Sequence, residues 1–166
     1  SFLKINSRNI VILKNNKDLE EEFYKYAINF KKAAHLLTQH LLENNDISKL
    51  DTYFFSLAYL YRQSLELVLK AIGFKYIVSL EGRQLFLKDT FHNLSQILDY
   101  IMPYIEEFID KDIKGYAWIK TYFKDIDIVD KESDAFRYPF RISVDKIDFG
   151  FETKKKFSIK PVFEKQ

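Results

Sequence analysis

A chain of 166 residues, 47% of them hydrophobic, is long enough for one substantial core and short for two. Its 16 Phe and 11 Tyr stand against 4 Gly and 3 Pro, which excludes a Gly-rich phosphate loop and disfavours a many-turned β-sandwich. The absence of cysteine rules out disulfides and thiolate metal sites and suits a reducing cytoplasm, while a net charge of +2 is too balanced to imply nucleic acid or membrane by itself.

Residues 2–14 read as short extended segments with a turn at Ser7-Arg8-Asn9. From Asp18 the period changes: Leu19, Phe23, Tyr26, Phe30, Ala33, Leu37 and Leu41 recur at alternating four and three, which predicts one long amphipathic helix. Its first turn is acidic, from Asp18 to Glu22, where the helix dipole favours negative charge. Asn44-Asn-Asp46 ends it. A second helix is expected over about 47–77; it is apolar on nearly every side from Tyr53 to Tyr61 and so belongs in the middle of a bundle.

Residues 79–90 read as loop, with a brief extended piece at Gln84–Leu87, and Thr90 reads as the N-cap of a third helix. Leu94, Ile97, Leu98, Ile101, Ile105 and Phe108 line one face of that helix, and Pro103 is expected to kink or divide it. A fourth helix over about 112–127 carries Tyr116, Ile119, Tyr122, Phe123 and Ile126. From Arg141 the pattern alternates through Ile142, Val144, Ile147, Phe149 and Phe151, which predicts a terminal strand or hairpin able to pair with the extended N-terminus. The fold class expected is mainly α: an up-and-down four- to five-helix bundle over about 18–140 in a single domain, with extended termini at 1–14 and 141–163.

Three polar islands interrupt this apolar sequence. In the first, Arg62, Glu66 and Lys70 are spaced by four and make a straight plus–minus–plus stripe on the second helix. Two readings are open. One is an ion-pair ladder of about 0.2–0.5 kcal/mol per pair; the other is a polar strip held for a groove, a subunit interface or an anionic ligand. The second island holds His92, either a residue that satisfies helix-end groups or a general acid/base. In the third, Arg137-Tyr138-Pro139 holds an arginine on fixed backbone, for carboxylate or phosphate binding or for a salt bridge to a helix carboxylate such as Glu66. His35 and His40 lie on the first helix and are weaker candidates. The histidines lack H-x-x-x-H and H-E-x-x-H spacing, so no metal site is expected.

The order of the pieces carries a resemblance. A long amphipathic helix is followed by a helix ending L-E-L-V-L-K-A (65–71), by F-H-N-L-x-x-I-L (91–98) and by A-F-R-Y-P (135–139). Over about residues 18–140 this resembles the HEPN superfamily of prokaryotic α-helical domains, in the subset with an H-[ND]-L helix start and a late F-R-Y-P. The resemblance implies a bundle that dimerises through its longest helices, and a link to RNA cleavage, toxin–antitoxin pairs or phage defence. It carries over Glu66, Lys70, His92, Arg137, Tyr138 and Pro139 as family-pattern positions. Catalytic members place an arginine four to six residues before a histidine and cut RNA without metal. Here the spacing fails, because Arg83 and His92 have eight residues between them and His35 and His40 have only Arg8 upstream.

The expectation is therefore a cytoplasmic HEPN-like module that dimerises and binds a protein, RNA or nucleotide partner without cofactor, metal or membrane. Arg62, Glu66, Lys70, His92, Arg137 and Tyr138 are its binding candidates. The alternative is a metal-independent ribonuclease with rearranged chemistry, with His92 as acid/base and Arg137 or Arg62 stabilising the phosphate. A purely structural reading makes all three islands core ion pairs and helix caps. Ser1 in place of a Met leaves room for flanking sequence.

Overall fold

The computed structural model describes residues 18–43, 47–108, 114–130, 133, 135–137, 140–142 and 147–149. They form a helical bundle of five α-helices. The expected extended N-terminus, Tyr138, Pro139 and the segment beyond 149 lie outside the described residues.

Helix α1 spans Leu19–Glu43 and opens on Asp18, whose Oδ1 accepts the Glu20 N–H at 2.9 Å, with Glu20, Glu21 and Glu22 in the first turn. Its buried stripe is Ala27, Ala34, Thr38 and Leu41, with Phe23 and Phe30 alongside. The stripe read from the sequence is rotated from this one: Leu19, Tyr26 and Ala33 are exposed. The small side chains of Ala27 and Ala34 let α1 approach helix α2 (Ile47–Tyr76) closely, and Ser64 of α2 donates to the Ala27 carbonyl at 2.8 Å. Phe23 meets Phe74 (ring centroids 5.0 Å apart) and Phe30 meets Tyr59 (6.3 Å), so the two helices run antiparallel.

Helix α2 is the centre of the bundle and touches α1, α3 and α4. Leu57, Leu67, Leu69, Ala71 and Phe74 are buried, whereas Tyr53 and Phe55 near its start are exposed, so its central character belongs to the later turns.

The segment expected to be loop is helix α3, Leu80–Thr90. Ser79 is its N-cap and accepts the Gly82 N–H at 3.1 Å. Thr90 is therefore not the cap of the next helix. It is the last residue of α3, buried, with its hydroxyl donating to the Phe86 carbonyl at 2.7 Å. Phe86 is fully buried and its ring fills the space over Gly73 of α2, where an added Cβ would lie 2.4 Å from the ring. Arg83 closes the same corner, donating to the carbonyls of Ile77 (2.7 Å) and Phe74 (2.6 Å) and lying over the Phe74 ring.

Helix α4, Leu94–Ile105, buries Leu94, Ile97, Leu98, Ile101 and Ile105 as the pattern required. It runs through Pro103 and tightens into a 3₁₀ turn over Glu106–Phe108, and Phe108 is exposed rather than part of the core face. Helix α5, Lys114–Asp130, packs on α4 through Phe123 and Ile126. Strands β1 (Phe140–Ile142) and β2 (Ile147–Phe149) form an antiparallel hairpin in which Phe140 pairs with Phe149 and Ile142 with Ile147.

Candidate functional site

The stripe on α2 faces inward. Arg62, Glu66 and Lys70 are 2%, 1% and 7% exposed, so their charges are outside bulk water and must be met by partners. The Glu66 carboxylate is the hub. Its Oε2 accepts Arg62 Nη1 at 2.6 Å, and its Oε1 accepts Lys70 Nζ at 2.6 Å and lies 2.8 Å from His92 Nδ1. The spacing of four that marked these residues in the sequence is what brings both cations onto one carboxylate.

Arg62 has two more partners. Its Nη2 donates to the backbone carbonyl of His92, and its Nε lies 3.1 Å from Asp130 Oδ2, a charge pairing without the alignment of a hydrogen bond. Asp130 is fully buried at the end of α5, and its Oδ1 accepts the Ala135 N–H at 2.7 Å, which fastens the following segment. Two cations thus face two carboxylates. Burial pushes the Glu66 carboxyl up, but the Lys70 ammonium with its hydrogen bond, and the imidazole of His92, outweigh that and hold it below the usual carboxylate range.

His92 sits in the turn between α3 and α4. Phe91 there has φ 42° and ψ −105°, a conformation rare for a residue with a side chain. Its N–H donates to the Leu87 carbonyl, and the Asn93 N–H to that of Thr90, so the chain reverses over two residues. Arg62 holds the turn by its backbone and Glu66 holds it by the imidazole. The His92 side chain remains 46% exposed, the one partly open member of the cluster. An ionised Glu66 requires the proton on Nδ1, so the neutral ring leaves Nε2 as an acceptor.

Asn93 is the N-cap of α4, accepting the Gln96 N–H at 2.8 Å. Asp127 of α5 accepts the next two donors, the Leu94 N–H at 3.1 Å and the Ser95 N–H at 2.9 Å. The positive end of α4 is thereby filled from within the chain. Asp127→Ala leaves both donors without their acceptor and is expected to cost about 0.5–2 kcal/mol in urea unfolding.

No protein-family model, curated protein or solved structure matches this chain.

Of the residues singled out by sequence, Arg62, Glu66, Lys70 and His92 come together. Arg137 does not join them. Its side chain donates from Nε to the Ser133 carbonyl and lies 6.0 Å from the Tyr59 ring centroid, and the salt bridge envisaged to Glu66 is not made: Glu66 pairs instead with Arg62, Lys70 and His92. Tyr138 lies outside the described residues. Asp127 and Asp130 were missed. Their signal was present: two carboxylates in the last turn of a helix oppose its dipole and need partners elsewhere. Among the described residues no group of three or more metal-ligating side chains is assembled, and no helix is long and apolar enough to cross a membrane.

Proposed function

We propose that this chain is a HEPN-like module of a prokaryotic defence or toxin–antitoxin-type system. It works in the cytoplasm by dimerising and by binding a protein, RNA or nucleotide partner. The observation that carries this reading is the convergence of Arg62, Glu66 and Lys70 on the His92 turn, which joins two of the three family-pattern islands in one rigid place. A network of buried charges is a costly way to gain stability alone, since well-packed apolar residues do as well or better. Its closure on the His92 ring supports a role in holding His92 in place for a partner. The exposed edge of α1, with Leu19 and Tyr26 beside the buried stripe, supports dimerisation through a long helix.

Sedimentation of the full chain, with RNA, nucleotide and partner-protein binding measured on wild type and His92→Ala, tests the reading. A dimer whose partner binding is lost in His92→Ala is expected. A monomer at tens of micromolar that binds none of the three classes overturns it.

One observation favours a second reading, the metal-independent ribonuclease: Glu66 holds Nδ1 of His92 as a carboxylate orients a general base. Arg62 is buried and committed to three partners, which leaves this reading without its phosphate-stabilising arginine at that position. RNA cleavage that persists in EDTA and vanishes in His92→Ala would establish it.

A further inference from the structure

The buried network has an outward product. Arg62 and Glu66 fix a two-residue turn from below, through the His92 carbonyl and through Nδ1. What the turn presents is the Phe91 ring, 62% exposed, and the outer edge of the His92 imidazole. Phe91 makes no ring contact with another described residue, and it is held at φ 42°, ψ −105°, in a place where glycine would be the easier choice. An exposed aromatic on strained, doubly anchored backbone gains nothing for the core.

We infer that Phe91 and His92 form a recognition site for a nucleobase, with the base stacked on the Phe91 ring and one of its N–H groups donated to His92 Nε2. This rests on the reading of the chain as a module that binds RNA or nucleotide, and it says which part of that ligand is read. Three observations select a base over a phosphate. The first N–H groups of α4, the natural anion site beside the turn, are already taken by Asn93 and Asp127. The Asp127 carboxylate placed there repels a second anion. The cations of the cluster, Arg62 and Lys70, are buried and paired with Glu66. What remains open is one aromatic face and, while the His92 ring is neutral, one acceptor nitrogen, which complements a planar ring bearing a donor. Adenine, cytosine and guanine carry such a donor in their exocyclic amine.

The test is an NMR titration of the full chain with inorganic phosphate, with adenosine monophosphate and with a short single-stranded oligoadenylate, following the Phe91 and His92 resonances. Phosphate alone is expected to leave both unmoved, and one or both adenine ligands to shift them. Shifts with the mononucleotide identify a free nucleotide as sufficient; shifts with the oligonucleotide only identify an RNA strand. Phe91→Ala is expected to weaken binding roughly tenfold or more, with Phe91→Tyr restoring it. His92→Ala is expected to weaken it as well. Either of two results overturns the site: neither adenine ligand shifts Phe91 and His92, or binding is the same in Phe91→Ala as in wild type. If the oligonucleotide binds elsewhere, or a protein partner binds instead, this site falls while the proposed function stands. If the chain is monomeric and binds no partner class, the proposed function falls with it.

Discussion

Replacing Glu66 with alanine is expected to destabilise the protein by about 3–5 kcal/mol, the loss typical of breaking a buried ion pair from one side. The change removes the carboxylate that accepts both Arg62 Nη1 and Lys70 Nζ; Arg62 keeps Asp130, and Lys70 is left in the core without a carboxylate. Chemical denaturation at neutral pH measures this. Glu66→Gln keeps the shape and removes the charge, so it separates electrostatics from packing. The same carboxylate predicts an acid dependence. Its pKa is lower in the folded protein than in the unfolded chain, so its contribution is fully present above the ordinary glutamate range of about 4.3. The contribution is lost as pH falls from there through the depressed folded value. Glu66→Gln is expected to lack this part of the acid slope, and an unchanged slope would show that Glu66 is not held ionised by its neighbours.

Replacing Phe86 with alanine is expected to cost about 3–5 kcal/mol, because the ring is fully buried where α2, α3 and α4 meet. Its neighbours include Phe74 (ring centroids 6.4 Å apart) and Tyr100 (5.2 Å), and its edge lies over the bare backbone of Gly73. The complementary change is Gly73→Ala. Alanine would gain about 1 kcal/mol of helix propensity, but its methyl meets the ring at a distance no real contact allows, so a net loss of about 1–3 kcal/mol is expected. Combining Gly73→Ala with Phe86→Leu should lose less than the sum of the two single changes. Full additivity in thermal or urea unfolding would show that the two residues do not meet.

Four of the helices were legible from long runs of apolar residues, periodic on α1, α4 and α5 and nearly all-round on α2, and α4 was the clearest, with Leu94, Ile97, Leu98, Ile101 and Ile105 all inside. Helix α3 was not legible. Leu80 and Leu85 are exposed, and only Phe86 and Thr90 are buried, so there is no stripe to read. The cap of α4 was misplaced for a related reason: Thr90 and Asn93 are both good capping residues, and the turn at Phe91, which decides between them, leaves no periodic mark. In the site, the ladder on α2 was legible because its spacing is local. Its closure by His92 and Asp130 was not, since those contacts join residues far apart in the chain. The place of Arg137 was not legible either, since a Tyr-Pro after it in the sequence says nothing about its reach; its Nε donates to a carbonyl four residues back.

The buried carboxylate of Glu66 fixes the tautomer and orientation of His92. The most direct measurement is the nitrogen-15 spectrum of the His92 imidazole, taken where the ring is neutral, in wild type and in Glu66→Gln. The geometry predicts that wild-type His92 carries its proton on Nδ1, with Nε2 bare, and that Glu66→Gln loosens this preference. A proton on Nε2 in the wild type, or a spectrum indifferent to Glu66→Gln, would show that Glu66 does not set the His92 ring.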